Sequence, residues 1–363
     1  MSYRPVPCAS RMDRVIALSS EMDVEGILFL DLKNIRYLVG FTGSDGVLLV
    51  TPAGAHLLVD GRYVTQAKTE VSSARVLQYQ DKTEGITALL AEGDYGRIAF
   101  ESAAVSHDLY LKLQERNSAV DFNALRLEDL AGLRAVKDMT EICRIREAAV
   151  LATRAFQATL AIIRPGLTER DIALELDFQM RRNGAEEPAF NTIAASGPNS
   201  AMPHARPGGR VIEKDDVLII DWGAVYEGYR SDETCTLVVG NASEDFIRAY
   251  CLVKEAHDRA IASIRAGVST AEVDRAAREW IEQGGMGDSF SHGTGHGVGL
   301  DIHESPRLAA NTNGILEAGM VVTVEPGVYL PGCWGIRIED LVVVTADGCE
   351  LLSGIKKELI ELN

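Results

Sequence analysis

No run of about 18 apolar residues occurs anywhere in the chain, so no segment is expected to cross a membrane as a helix. The first residues, MSYRPVPCASRMDRV, lack the apolar stretch of a secretion signal. Cysteine is sparse: Cys8, Cys143, Cys235, Cys251, Cys333 and Cys349 show no CxxC or other paired spacing. That excludes a sequence-encoded structural zinc site or dithiol motif and suits free thiols in a reducing compartment. Basic charge is scarce as well. The 36 Lys and Arg residues face 53 Asp and Glu, a formal net charge of −17. This argues against nucleic acid or an anionic membrane surface as partner, since both need basic patches. No GxxxxGK or GxGxxG spacing marks a phosphate-binding loop. A soluble, cytoplasmic protein is expected.

What is present fits a globular chain of 363 residues, long enough for two domains, with 46% hydrophobic and 25% charged residues. In the first third, GILFLD (26–31), GVLLV (46–50) and HLLVD (56–60) have strand length. Turn signals such as Thr51-Pro52-Ala53-Gly54 separate them. Helical patterns follow near 83–92 and 106–117, with another strand at Arg97–Phe100. Strands alternating with helices predict an α/β layer domain. A helical segment near 125–133 leads to Asp138 and Glu141, whose spacing fits a capping box for a long helix through about Ile162. The domain boundary is placed at about residue 133, giving domains 1–133 and 134–363.

The second domain carries a weak internal repeat, with chance similarity of amphipathic helices as the other reading. Ile163-Arg164-Pro165-Gly166-Leu167-Thr168 reappears, offset by 101 residues, as Ile264-Arg265-Ala266-Gly267-Val268-Ser269. Each copy follows an Ala-rich helical stretch and opens an amphipathic helix, with Asp171 or Glu272 three residues after the capping Thr168 or Ser269. Those helices stop at Asn183-Gly184 and Gly284-Gly285. Two helical hairpins, each followed by strands, predict two facing halves with a site drawing residues from both.

The chemistry gathers in three stretches. VLIIDWGAVYEGYRSDETCTLVV (217–239) reads as strand, turn at Glu227-Gly228, strand. Asp221 and Asp232 are 11 residues apart; with an even-length loop this puts both on one sheet face, opposite or diagonal. Two carboxylates on an apolar face repel and are costly to desolvate, problems that a bound cation removes; a solvent-facing acidic pair is the other reading. Next, His292, His296 and His303 fall within twelve residues, spaced by glycines that permit close backbone approach. Finally, MVVTVEPGVYL (320–330) and GIRIEDLVVV (335–344) form a hairpin in which the 14-residue spacing and odd loop place Glu325 and Glu339 on one face. Arg337 shares that face and is expected to orient Glu339, or simply to neutralise it as an internal ion pair. Four carboxylates and one imidazole, Asp221, Asp232, His296, Glu325 and Glu339, make an oxygen-rich donor set. It suits two ions of the manganese or cobalt kind, with zinc less favoured. Two such ions clamp an attacking hydroxide and polarise a carbonyl, so hydrolysis is the expected reaction class.

On these motifs the chain resembles the pita-bread metallopeptidase family, which includes Xaa-Pro aminopeptidase, Xaa-Pro dipeptidase and methionine aminopeptidase. The matching residues are Asp221 in DWGA, Asp232 in SDET, His296 in GHGVG, Glu325 in VEPG and Glu339 in RIED. The resemblance implies a creatinase-like α/β domain followed by a pseudo-twofold pita-bread catalytic domain. It further implies that His204 binds substrate and that His303 stabilises the tetrahedral intermediate. His292 would lie behind the ligands, and Glu325 would shuttle a proton. Arg337 matches the arginine beside the last ligand. Cys235 departs from relatives that carry arginine there. The stretches Asn34–Gly46 and Val59–Tyr63 resemble the Xaa-Pro aminopeptidase version of the first domain, whose implied roles are dimerisation and limiting substrate size. The intact ligand set argues against creatinase and against a non-catalytic binding protein. The expected function is removal of an N-terminal residue ahead of proline by a homodimer acting on short peptides. A metal-bridging hydroxide would be the nucleophile, with Mn²⁺ the expected ion and Co²⁺ or Zn²⁺ possible. The alternative is an Xaa-Pro dipeptidase, in which Arg307 would receive the free carboxylate; an ordinary surface arginine is the other reading of that residue.

Overall fold

The computed structural model describes residues 11–362, so Cys8 lies outside the described residues. The chain divides into two compact units, the first ending at Arg134 and the second starting at Ala135. No helix among the described residues is long and apolar enough to cross a membrane.

The first unit is built on one six-stranded sheet of β1 (Gly26–Phe29), β2 (Val47–Thr51), β3 (Gly54–Val59), β4 (Arg75–Gln78), β5 (Arg97–Glu101) and β6 (Asp121–Leu125). Its order is β4-β3-β2-β1-β5-β6. The central strands β1 and β2 are buried throughout, which explains their uninterrupted apolar runs. Two of its strands, β4 and β6, and three of its helices, Arg11–Glu21, Leu32–Val39 and Val64–Glu70, go beyond the elements expected from the sequence. The helix at 32–39 had signals: Asp31 accepts from the Lys33 amide at its start, and Gly40 ends it at φ 77°.

The second unit repeats one motif. The helices Met139–Leu160 and Glu169–Arg182 precede one set of strands, and Glu244–Ser263 and Thr270–Gln283 precede another. Equivalent devices punctuate both copies. Asp138 and Glu141 close a capping box on the first helix, and Thr168 and Asp171 close one on the second. Ser269 accepts from the Glu272 amide at the corresponding start. Gly166 and Gly267 adopt φ 97° and 87° at the same turn, a conformation costly for any residue with a Cβ.

After the first helical pair come β7 (Ile193–Ser196), β8 (Asp216–Trp222), β9 (Val225–Tyr226), β10 (Tyr229–Arg230) and β11 (Glu233–Val239). After the second come β12 (Gly295–Gly297), β13 (Glu304–Leu308), β14 (Val321–Val324), β15 (Gly327–Leu330), β16 (Trp334–Arg337), β17 (Asp340–Val344), β18 (Cys349–Leu351) and β19 (Ile360–Glu361). They form a four-stranded sheet, β19-β11-β8-β7, and a five-stranded sheet, β13-β12-β14-β17-β18, with two short ribbons, β9-β10 and β15-β16. Each sheet has its own core. In the first, Phe156 stacks on Trp222 with ring centroids 4.2 Å apart, and the indole donates to the Ala152 carbonyl. The second gathers Phe246, Val253, Val273, Ile281, Val322 and Val342.

Candidate functional site

The expected site residues are positioned by breaks in two ladders. The hairpin holding Asp221 and Asp232 is not one continuous pair of strands. It separates after Trp222 and resumes in the β9-β10 ribbon. At the break, a Cβ on Gly223 would meet the Ser231 carbonyl oxygen at 1.9 Å, and the Ser231 hydroxyl accepts from the Ala224 amide. Thr234 lies opposite Asp221. Asp232, two residues before Thr234, shares its face and is the diagonal neighbour of Asp221. The second hairpin breaks at Glu325-Pro326, where proline has no N–H for the ladder. Val324 pairs with Asp340 and Gly327 with Arg337, so Glu325 and Glu339 fall opposite each other.

These elements converge on a cleft of about 640 Å³ lined by His204, Asp221, Asp232, His292, His296, His303, Arg307, Glu325, Arg337 and Glu339. Every candidate residue from the sequence is therefore brought to one cleft. Donor atoms of Asp232, His296 and Glu339 all lie within 4.8 Å of one another. His296 Nε2 is 3.6 Å from Asp232 Oδ2 and 3.4 Å from Glu325 Oε1. Its Nδ1 is 3.1 Å from the Gly297 carbonyl, which can only accept. The ring proton therefore sits on Nδ1 and leaves the Nε2 lone pair free, the form a metal ligand needs.

The electrostatics point the same way. Asp232 and Glu339 are 6% and 2% exposed. Burial, and then the charges of neighbouring carboxylates, hold both well above the usual carboxylate range. Burial also raises Glu325 and lowers His292, His296 and His303. Asp221 Oδ1 is buried without a hydrogen-bond partner among the described residues. Mutually repelling buried carboxylates, an orphaned carboxylate oxygen and a free imidazole nitrogen fit divalent cations, which relieve all three.

Arg337 departs from expectation. Its guanidinium donates to Asp221 Oδ2 at 2.7 Å, not to Glu339. It reaches Glu339 only through Thr234, whose hydroxyl accepts from Arg337 Nε at 3.2 Å and donates to Glu339 Oε2 at 2.6 Å. The reason is sheet geometry: Glu339 bridges Thr234 across the junction of the two sheets, which turns Arg337 toward β8.

Sequence reasoning missed Thr234 and Tyr329. Arg337 Nη1 donates to the Tyr329 hydroxyl at 2.9 Å, and that hydroxyl donates to His292 Nε2 at 2.9 Å. His292 Nδ1 donates to the Gly293 carbonyl at 2.8 Å. Tyr329 lies four residues beyond Glu325, the period-2 spacing that carries the signal. Also missed was Asp274, which accepts from the Thr294 amide and hydroxyl and thereby fixes the glycine-rich loop. Lys137 makes a buried ion pair of 3.1 Å with Glu304, the neighbour of His303. The rings of His303 and His296 stand edge to face with centroids 4.4 Å apart.

The chain is similar to known proteins along most of its length. Residues 143–346 match metallopeptidase family M24, and residues 11–136 match the creatinase/prolidase N-terminal domain. The chain belongs to this family of peptidases, with the pita-bread fold and a creatinase-like first domain. An Xaa-Pro dipeptidase from Pyrococcus furiosus is 35% identical, over 96% of this chain and 99% of that protein. The solved Xaa-Pro dipeptidase from Bacillus anthracis superposes with a TM-score of 0.93 at 38% identity, covering 97% of this chain and 99% of its own. The solved X-Pro aminopeptidase from Thermotoga maritima MSB8 does so with a TM-score of 0.88 at 36% identity, covering 96% and 99%.

Proposed function

We propose that this chain is a metal-dependent peptidase that hydrolyses Xaa-Pro bonds, with Xaa-Pro dipeptides as its substrates. The observation that carries the metallopeptidase reading is the convergence of Asp221, Asp232, His296, Glu325 and Glu339 in one cleft, with Asp232 and Glu339 buried. These five residues would hold two divalent ions, manganese by the oxygen-rich donor set, with cobalt or zinc as alternatives. When bound, such ions activate a water and polarise the scissile carbonyl.

The chain's own residues supply the rest. Glu325, raised by burial, takes and returns a proton between the attacking water and the leaving proline nitrogen. His303, whose ring stands edge to face with that of His296, donates to the carbonyl oxygen as negative charge develops there. His204 lines the cleft beside it and binds substrate. Arg337, through Asp221 and Thr234, holds the carboxylates in place.

Arg307 favours dipeptides over the longer substrates expected from the sequence. It lines the cleft opposite His296 in the β12-β13 register, and no hydrogen bond or ion pair engages it among the described residues. A free guanidinium suits the carboxylate that follows proline in a dipeptide. The aminopeptidase is the second reading, supported by the first-domain stretches at 34–46 and 59–63. A cytoplasmic homodimer, with the first unit serving dimerisation and limiting substrate size, belongs to the same proposal.

Mass spectrometry of products from Ala-Pro and Ala-Pro-Ala, with EDTA-stripped protein and after adding Mn²⁺, tests it. Metal-dependent cleavage of Ala-Pro with little attack on the tripeptide supports the dipeptidase. Preferred cleavage of the tripeptide makes it an aminopeptidase, and cleavage of neither refutes the Xaa-Pro reading. Glu339→Ala is expected to abolish hydrolysis while the protein remains folded, and full activity in that variant would refute the metal centre.

A further inference from the structure

A second group of buried ionisable side chains lies beside the cleft without lining it. Glu233 follows Asp232, and Asp340 follows Glu339. Consecutive residues of a strand face opposite ways, so each candidate ligand has a carboxylate neighbour turned to the other side. Glu233 and Asp340 are 2% and 6% exposed. A single ammonium lies against both: Lys357 Nζ is 2.5 Å from Glu233 Oε1 and 3.3 Å from Asp340 Oδ1. It is also 3.7 Å from Cys235 Sγ.

Topology gives this contact its consequence. Asp232 immediately precedes β11 of the four-stranded sheet, and Glu339 immediately precedes β17 of the five-stranded sheet. The separation of the two ligands therefore depends on how one sheet is held against the other. Direct hydrogen bonds cross this junction as well, among them the contacts of Thr234 and Arg337 described above. The Glu339 amide donates to the Thr234 carbonyl at 3.2 Å, and the Thr236 hydroxyl accepts from the Arg337 amide at 3.0 Å. Lys357 belongs to a segment anchored on the first sheet, because β19 pairs with β11 and the Ile355 amide donates to Glu233 at 3.1 Å. The Tyr250 hydroxyl fixes the Lys357 backbone by donating to its carbonyl at 3.1 Å. From that anchor the side chain reaches across to Asp340. On the other side of Asp340, His257 Nε2 lies 3.3 Å from Oδ2.

We infer that Lys357 is a positioning residue of the metal centre: its ammonium ties Glu233 to Asp340 across the sheet junction and so sets the separation of Asp232 and Glu339. The inference rests on the metallopeptidase reading above. It assigns to a residue outside the cleft, and C-terminal to every ligand, control of how well the centre binds its ions.

The test is calorimetric titration of EDTA-stripped, full-length protein with Mn²⁺, alongside circular dichroism. Three variants are compared: Lys357→Met, the double variant Glu233→Gln/Lys357→Met, which does not leave Glu233 as a buried unpaired charge, and Lys357→Arg. Expected is a folded double variant whose manganese affinity falls by about 10-fold or more, the range for residues that orient ligands. Lys357→Arg, which keeps the charge, is expected to recover most of that loss, a rescue that a purely structural effect on packing would not give. A folded double variant that binds manganese as wild type does overturns the inference. So does loss of the folded state in both methionine variants, which would assign Lys357 to core stability. Wild-type protein that takes up no manganese, cobalt or zinc overturns the metallopeptidase reading itself, an outcome separate from any result on the variants.

Discussion

Thr234→Val removes one hydroxyl from the centre of the site with little change of shape. That hydroxyl is the link between Arg337 and Glu339, at 3.2 and 2.6 Å. Valine fills nearly the same volume, so the cavity contribution is small and the lost polar contacts dominate. A hydrogen bond to a charged group is worth about 1.5–3 kcal/mol. If that energy holds Glu339 in its binding orientation, its loss weakens metal binding by about 10- to 100-fold. The assay is thermal unfolding with and without saturating Mn²⁺. Each tenfold loss of affinity removes about 1.4 kcal/mol of metal-induced stabilisation at fixed concentration. For a unit of this size that lowers the metal-induced rise in Tm by about 3–6 °C. A variant with the wild-type metal-induced rise, and with wild-type calorimetric affinity, would show that Thr234 does not orient Glu339.

Two further outcomes follow from the structure. In Gly295→Ala, the new Cβ would sit 2.0 Å from the Thr323 carbonyl oxygen. Relieving that overlap must shift β12 and His296 with it, costing about 1–3 kcal/mol of stability and weakening Mn²⁺ binding; unchanged urea unfolding and metal titration would refute this. His257 gives a pH dependence. Burial pushes it down, but the Asp258 and Asp340 carboxylates outweigh burial and hold it above the ordinary 6.5. A raised folded value gives stability that is full below the unfolded value and fades as pH rises through the folded one. The stability gap between wild type and His257→Gln, from urea unfolding at several pH values, is therefore expected to narrow as pH rises from 6.5; a gap that widens would refute the assignment.

Much of the site is legible in the sequence because its parts are local. The even turn at Glu227-Gly228 and the odd loop at 331–333 set which side chains share a face, and the structure places Glu325 opposite Glu339 and Asp232 diagonal to Asp221. The caps at Asp138, Thr168 and Ser269 are equally local, since each closes within three residues. The first unit was read less completely. β6, DFNAL, is short, and only its last residue, Leu125, is fully buried; the helix at 32–39 carries both of its caps in the sequence, at Asp31 and Gly40.

The sequence by itself determined the candidate donor residues, their two hairpins and the repeat that carries them, because backbone periodicity and turn length fix which neighbours share a face. Only the tertiary structure decided what those residues touch. Arg337 passes over nearby Glu339 to bind Asp221, 116 residues away. Lys137 meets Glu304 across 167 residues, and Lys357 reaches Glu233 across 124. Such partners depend on how two sheets pack together, and packing distances follow from the whole fold and not from any spacing along the chain.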